Sequence, residues 1–322
     1  MVDRPNKPSA LSSTPGLPPQ AQVSITHGSR KVTAVLPTGE SVEILLYGAT
    51  VVSWRDRSGA EKLWLSEGSK LDGSKPVRGG IPLVFPVFGP PPPNHATSAL
   101  PQHGFARTSV WEFLGKSTSE SESSEGGADL SVKLDFGLSS AGLSEETRGA
   151  WGYKFNLIYS VTLSKGSLGT SLVVTNDDER PFELQVLMHT YFRVEDIGKV
   201  TVTGLKGASY IDKVDAKKEK SEGDGEVKIA GETDRVYTPV AGPGAAVEIK
   251  EAGKTVFSVV RDNLNDVVVW NPWTEKAKGM ADFAPKDGYR QMVCVEAGSV
   301  RGWQTLEPGD AFEGAQTISI SS

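Results

Sequence analysis

The sequence predicts an all-β protein built as one large antiparallel β-sandwich, and three observations support this fold class. Short runs of alternating or β-branched apolar residues follow one another along the chain, separated by Gly, Asn, Asp and Pro. Amphipathic stretches of helical spacing are missing, so successive strands lack helical crossovers and are expected to pair antiparallel. No repeat of fixed period is visible, which argues against a propeller.

The strand pattern is clearest in segments distributed over the whole chain. These are 31-KVTAVLP, 42-VEILLYG, 130-LSVKLDF, 155-FNLIYSVTLS, 168-LGTSLVVTN, 226-EVKIA, 256-VFSVV, 267-VVVW and 291-QMVCVEAG. Two low-complexity segments, 116-KSTSESESSEGGAD and 213-KVDAKKEKSEGDGE, are expected to be solvated loops, because they offer little apolar surface to offset the entropy lost on ordering. Residues 1–22 are interpreted as a flexible tail, and 23–322 as a single β-sandwich domain.

Composition limits the classes of function. The chain has 322 residues, a formal net charge of −6 and one cysteine, Cys294, so it forms no internal disulfide and suits a reducing, cytoplasmic compartment. Residues 1–22 contain no continuous apolar segment typical of a signal peptide, and no stretch reaches membrane-spanning length. The acidic balance argues against broad nucleic-acid binding. An anionic ligand would therefore need locally placed cations.

The segment 76-PVRGGIPLVFPVFGPPP combines an arginine, two glycines and an apolar run interrupted by proline. Each proline removes a backbone donor, so the run is expected to be irregular rather than a central strand. Arg78 could offer a planar fork to phosphate or carboxylate. The alternative is an arginine in an ordinary surface turn.

A second polar segment, 101-PQHGFARTSVW, brings Gln102, His103 and Arg107 together on a Gly-containing loop. Gln102 could both donate to and accept from sugar hydroxyls, and Arg107 would supply a second permanent cation. Alternatively, His103 caps a turn and Arg107 packs on Phe105 or Trp111.

Two further candidates lie on predicted strands. In 183-ELQVLMHTYFRV, alternation places His189 on the face opposite the mostly apolar one, where it could transfer a proton near neutral pH. In 291-QMVCVEAG, Glu296 is predicted to end an apolar strand, where burial would raise its pKa toward the range of a general base. A hydrogen-bonded structural histidine and a solvent-facing glutamate are the alternatives. Spacing alone does not pair the two residues.

Other kinds of site lack their sequence signatures. The histidines and the cysteine do not fall at zinc-site spacings, so no metal site is predicted. The motifs of serine hydrolases, P-loop proteins and dinucleotide-binding folds are also missing, so no cofactor is predicted. Trp270 and Trp273 could form a sugar-stacking platform, although core packing explains most aromatic residues.

Several motifs in a fixed order add a family resemblance that extends from about residue 23 to the C-terminus. They are 78-RGGIPLVFPVFG, 102-QHGFAR, 188-MHTYF, 232-ETDRVY, 270-WNPW and 292-MVCVEAG. With them the chain resembles the hexose-6-phosphate mutarotases, or glucose-6-phosphate 1-epimerases, of the aldose-1-epimerase superfamily. The resemblance implies a galactose mutarotase-like supersandwich with its site on a concave sheet face, and an isomerase that needs no cofactor.

The resemblance also implies roles for particular residues. His189 and Glu296 match the catalytic positions, Arg78 and Arg107 look like phosphate-binding arginines, and Gln102 and Asp234 look like substrate contacts; His103 is a possible further site residue. The expected ligand is a hexose 6-phosphate, with no nucleic-acid or membrane partner, and the chain is expected to be a monomer. An aldose 1-epimerase for neutral sugars and a non-catalytic carbohydrate-binding β-sandwich remain alternatives.

Overall fold

The fold is built mainly from antiparallel β-strands, as the sequence predicts. The structure is a computed structural model that describes residues 20–26, 28, 30–122, 128–223 and 225–321. Every pairing between its named strands is antiparallel. Most of the tail predicted for residues 1–22 lies outside the described residues, and the single-domain organisation of 23–322 stays a prediction.

The strands over the described residues are, in chain order, β1 (Gln22–Thr26), β2 (Lys31–Val35), β3 (Ser41–Leu45), β4 (Val51–Arg55), β5 (Leu83–Val84), β6 (Glu112–Glu122), β7 (Ala128–Ser139), β8 (Phe155–Ser164), β9 (Ser167–Asn176), β10 (Phe182–Met188), β11 (Tyr191–Arg193), β12 (Val200–Thr203), β13 (Ser209–Asp212), β14 (Lys218–Ser221), β15 (Glu226–Lys228), β16 (Thr233–Thr238), β17 (Val247–Glu251), β18 (Lys254–Asp262), β19 (Asp266–Asn271), β20 (Met292–Leu306) and β21 (Ala311–Ile320).

Helices are short and few in the part of the chain that the structure describes. The α-helices are α1 (Glu145–Ala150) and α2 (Trp273–Gly279), and the 3-10 turns are Ala106–Thr108, Ser140–Gly142, Ile197–Lys199 and Gly288–Gln291. Among the described residues, none of these helices has the length and apolar character needed to cross a membrane.

The strands form three sheets. The first has the order β1-β2-β3-β4, and the largest has the order β15-β12-β17-β18-β21-β9-β8-β7-β6. The central sheet has the order β14-β13-β16-β19-β20-β10-β5, with β11 also pairing with β20. The Pro-rich segment contributes only the two residues of β5, at the edge of that sheet, which confirms that it is not a regular central strand.

The middle strands of the central sheet, β19 and the first part of β20, are buried on both faces, and alternation along them divides their apolar side chains between two clusters. On β20, the main core receives Val293, Val295 and Ala297. The opposite face of β20 carries Met292 and Cys294 in a second cluster. Neighbouring β19 alternates in the same way, with Val267 and Val269 in the main core and Val268 and Trp270 opposite. A polar residue whose side chain points to the same face as Met292 and Cys294 therefore lies away from the main core.

The two low-complexity segments are more ordered than the sequence predicts. Residues 116–122 and 128–129 of the first segment belong to the β6–β7 hairpin, so the loop prediction is wrong for them. In the second segment, Lys218–Ser221 forms strand β14, which pairs with β13 at the edge of the central sheet. Polar sequences form these strands because an edge strand keeps one side open to water while its backbone joins an existing ladder.

Gly104 fixes the path of the polar loop that carries Gln102 and His103. Its φ of +68° lies in the left-handed region, and its Cα approaches so closely that a Cβ would lie 2.1 Å from the carbonyl oxygen of Phe85. The Phe85 carbonyl also accepts the backbone N–H of Phe105 at 3.0 Å. The loop and the Pro-rich segment are thus locked together at a point where only glycine fits.

We expect Gly104→Ala to lower the free energy of unfolding by about 3 kcal/mol, because left-handed strain of about 1 kcal/mol is added to overpacking of about 1–3 kcal/mol. Gly59→Ala is the matched control: Gly59 has a φ of +84°, and a Cβ added there would have no atom within 4 Å. It should lose only about 1 kcal/mol. Urea unfolding measures both variants, and equal losses would contradict the close-approach argument.

Candidate active site

A polar cavity opens on the face of the central sheet that lies away from the main core. Its volume is about 220 Å³, which is below the usual range for drug-sized ligands and suits a small molecule. The lining consists of Arg78, Phe88, Gln102, His103, His189, Lys213, Asp234, Trp270, Lys276, Met280 and Glu296.

Strand register brings Asp234, Trp270 and Glu296 to this face. Asp234 on β16 pairs with Trp270 on β19, and Val268 on β19 pairs with Glu296 on β20. Glu296 follows Met292 and Cys294 at intervals of two residues, so it continues their face of the sheet. It lies inside β20, which continues to Leu306, and is 1% exposed. The prediction that Glu296 ends a strand is therefore wrong, and so is the alternative that it faces solvent.

His189 lies where the strand is interrupted between β10 and β11. Its backbone N–H donates to the carbonyl of Pro82 at 3.0 Å, and its imidazole stacks on the ring of Tyr191 with centroids 4.6 Å apart and an interplanar angle of 9°. Trp270 packs edge-on against the same imidazole. The side chain is 12% exposed, and its Nδ1 lies 3.4 Å from Oε1 of Glu296. Two residues far apart in sequence thus form a contacting pair.

The environment of this pair disfavours charge on both members. Burial raises the pKa of Glu296 well above its ordinary value, and the nearby Asp234 carboxylate adds to the rise while Lys213 opposes it. Burial also lowers the pKa of His189, in the same direction as the charges of its neighbours. Nδ1 of His189 and Oε2 of Glu296 are buried without a hydrogen-bond partner. Both groups can therefore accept a ligand that supplies hydroxyl groups.

The side chain of Arg78 lines the cavity and is held by the side chains of Asp282 and Tyr191. Its Nε and Nη2 lie 3.2 and 3.1 Å from Oδ2 of Asp282, and its Nη1 donates to the hydroxyl of Tyr191 at 3.2 Å. The backbone N–H of Arg78 donates to the hydroxyl of Ser69 at 2.8 Å. The surface-turn alternative does not describe this residue, because its guanidinium is oriented by two side chains and still has N–H groups to offer to an anion.

The polar loop contributes Gln102 and His103 to the lining, whereas Arg107 lies beside it. The Arg107 Nη2 donates to the carbonyl of Gln102 at 2.8 Å, and its Nε is buried without a partner. Burial lowers the pKa of Arg107 to about 10, so it remains a cation at neutral pH. The Nδ1 of His103 accepts the backbone N–H of Gly89 at 3.2 Å, so the turn-capping alternative is correct for this residue in addition to its place in the cavity. Burial lowers the pKa of His103 to about 2, which keeps it neutral.

Lys213 is a residue of the cavity that the sequence does not single out. It follows directly after β13, its Nζ lies 3.1 Å from Oδ1 of Asp234, and it also lies over the ring of Phe88 at 4.6 Å. The sequence assigns it to a charged loop, in which one lysine cannot be distinguished from the next. Its position immediately after a strand is the only signal that could have found it. Asp282, likewise, carries no motif.

Of the two tryptophans considered as a sugar platform, only Trp270 lines the cavity; Trp273 packs on Tyr289 with ring centroids 5.3 Å apart. A possible metal-ligand set among the described residues is His189, Cys294 and Glu296, whose ligating atoms lie within 4.8 Å of one another. Arg78, Arg107 and Lys213 act electrostatically on His189 as cations. Their charge opposes binding of a metal cation and favours an anion.

Comparison with known proteins shows the family and the fold of the chain. The family model described as Aldose 1-epimerase matches residues 30–319. A protein of Cenchrus ciliaris named "Putative glucose-6-phosphate 1-epimerase" is 36% identical over 282 residues, covering 86% of this chain and 80% of the relative. A protein of the same name from Escherichia coli K12 is 34% identical over 276 residues, covering 86% and 85%.

A solved structure gives the same result at the level of the fold. The crystal structure of a "putative mutarotase (YeaD)" from Salmonella typhimurium superposes with a TM-score of 0.77 at 30% sequence identity, covering 95% of each chain. The mutarotase-like β-sandwich expected from the sequence is thereby confirmed. Because the family model spans nearly the whole described chain, the protein belongs to the aldose 1-epimerase family.

Proposed function

We propose that this enzyme interconverts the α and β anomers of a hexose 6-phosphate, glucose 6-phosphate in particular, by acid/base ring opening and closure. One observation carries the proposal: His189 Nδ1 lies 3.4 Å from Glu296 Oε1 in a small cavity that Arg78 also lines. Epimerisation at the anomeric carbon is the activity of the family to which the chain belongs. The names of its relatives support the phosphorylated substrate.

The reaction needs only two proton positions. The Glu296 carboxylate takes the proton of the anomeric hydroxyl, the bond between the anomeric carbon and the ring oxygen breaks, and protonated His189 donates to that oxygen. Rotation about the C1–C2 bond of the open aldehyde exposes its other face. The reverse transfers then close the ring, so no proton or electron is gained or lost. Each transfer can contribute about 10²–10⁴-fold when the groups are within hydrogen-bond reach.

The cations around the cavity support an anionic substrate. Arg78 and Arg107 can present N–H groups to a phosphate, and such charge-assisted bonds are stronger than neutral ones. Fixing the phosphate orients the sugar ring at the opposite end of the substrate. Asp234 and Gln102 then offer acceptors and donors to ring hydroxyls, with Lys213 holding the Asp234 carboxylate in place.

We expect His189→Asn and Glu296→Gln each to lower kcat by about 10²–10⁴-fold, since each variant removes one proton transfer and keeps a similar shape. NMR exchange spectroscopy of the two anomers of glucose 6-phosphate measures the rate directly. Glu275→Gln is the control, because the Glu275 side chain is 82% exposed and lies outside the cavity. Near-normal turnover by either active-site variant would overturn the catalytic assignment, and a purely carbohydrate-binding protein would show no catalysed exchange in any form.

We expect Arg78→Ala to raise KM for glucose 6-phosphate by about 10–100-fold and to leave KM for glucose nearly unchanged, because a hydrogen bond to a charged group contributes about 1.5–3 kcal/mol. Arg235→Ala is a matched control: Arg235 also donates to a tyrosine hydroxyl, that of Tyr237, but lies outside the cavity. Equal turnover of glucose and glucose 6-phosphate by the wild type would contradict phosphate recognition and favour an epimerase for neutral sugars.

The pH profile provides a third test. A carboxylate base is lost as pH falls through its pKa, and burial places the pKa of Glu296 above its ordinary value of 4.5. The acidic limb of kcat/KM should therefore lie above pH 4.5. Asp234→Asn removes an anion that raises the pKa of Glu296. The acidic limb of the profile should therefore move to lower pH, even if the variant also has a lower kcat. An unmoved limb would show that another group controls it.

A further inference from the structure

Tyr191 contacts both Arg78, the proposed phosphate-binding residue, and His189, the proposed proton donor. Its hydroxyl oxygen accepts a hydrogen bond from Nη1 of Arg78 at 3.2 Å, and its ring stacks on the imidazole of His189 with centroids 4.6 Å apart. The residue is 1% exposed. One buried side chain thus lies between the cation assigned to the phosphate and the histidine assigned to proton transfer.

The surroundings hold Tyr191 in one position. Its backbone N–H donates to the carbonyl of Gly80 at 2.9 Å, and its own carbonyl accepts the N–H of Trp64 at 2.9 Å. Its ring stacks on Trp64 with centroids 6.0 Å apart and meets Trp270 edge-on at 5.9 Å. These contacts restrain the tyrosine, and its hydroxyl therefore helps to set the distance between the Arg78 guanidinium and His189.

That distance matters because charge near His189 decides whether it can carry a proton. The groups that act on it are Tyr191, Glu296, Cys294, His103, Arg78, Arg107 and Lys213. The three cations oppose a protonated imidazole, and they add to the effect of burial. A phosphate dianion bound at Arg78 offsets part of this positive charge. Ring opening by the proposed route requires the protonated form.

We infer that Tyr191 is a positioning residue that couples phosphate binding at Arg78 to proton transfer at His189, so that the phosphate raises kcat as well as lowering KM. The inference rests on the proposed function. Binding energy from a part of the substrate that does not react is then used at the reacting centre. Asp282 holds the opposite edge of the Arg78 guanidinium, so the cation stays oriented toward Tyr191 before substrate arrives.

The test divides the substrate into two pieces. Xylose has the pyranose ring of glucose without the carbon that carries the phosphate, and inorganic phosphite supplies the dianion. NMR exchange gives the rate of xylose anomerisation with and without phosphite, and the ratio of the two rates is the activation factor. A general loss of activity or of folded protein lowers both rates by the same factor, so it does not change this ratio.

We expect phosphite to activate the wild type at least about tenfold, and Tyr191→Phe to lose about 10-fold or more of that activation because one hydrogen bond to a charged group is removed. The same variant should lower kcat for glucose 6-phosphate by a similar factor while KM changes less than about threefold. Tyr237→Phe, which removes the matching bond to Arg235 outside the cavity, should keep the wild-type activation factor.

An unchanged activation factor in Tyr191→Phe would overturn the inference, and so would an equal loss of rate with and without phosphite, which indicates a structural role. If wild-type glucose and glucose 6-phosphate differ in KM but share one kcat, the phosphate acts in binding alone. The coupling is then wrong while the proposed function stands. If both constants are equal for the two sugars, phosphate recognition itself fails.

Discussion

The arrangement of the rest of the site depends on the buried carboxyl of Glu296. It lies inside β20, on the side of the central sheet opposite the main core, and its Oε2 has no hydrogen-bond partner. Burying a polar group in this way is costly unless something satisfies it. The neighbouring Asp234 increases the cost, and Lys213 reduces it. The cavity is therefore built around a buried carboxyl that can still accept a hydrogen bond.

Much of the fold could be predicted from the sequence because alternation reports burial directly. The run 155-FNLIYSVTLS coincides with β8, and the two faces predicted around His189 match the two apolar clusters. The hairpin strand through 116–122 could not be predicted, since its order comes from pairing with β7 rather than from its own composition. The local sequence of a segment does not show whether another strand of the sheet is available to pair with it.

The candidate site could be predicted in part. Residue chemistry gives His189, Glu296 and Arg78 as separate candidates, and only the ordered motifs relate them to one another. Lys213 and Asp282 could not be found in this way because their importance depends on what they contact: one holds Asp234 and the other holds Arg78. The two arginines also differ in a way no motif reveals, since Arg78 is oriented by two side chains and the Nε of Arg107 has no partner.

The order of strands in the central sheet has a consequence for how the protein is made. Strand β10, which precedes His189, pairs with β20, and β16, which carries Asp234, joins β20 only through β19. A growing chain emerges from its N-terminus and cannot close these long-range pairings until residues near 306 are available. Chains that stop before residue 292 lack both Glu296 and the strand that unites the sheet. Catalytic activity should thus arise late in synthesis, after β20 has joined the sheet.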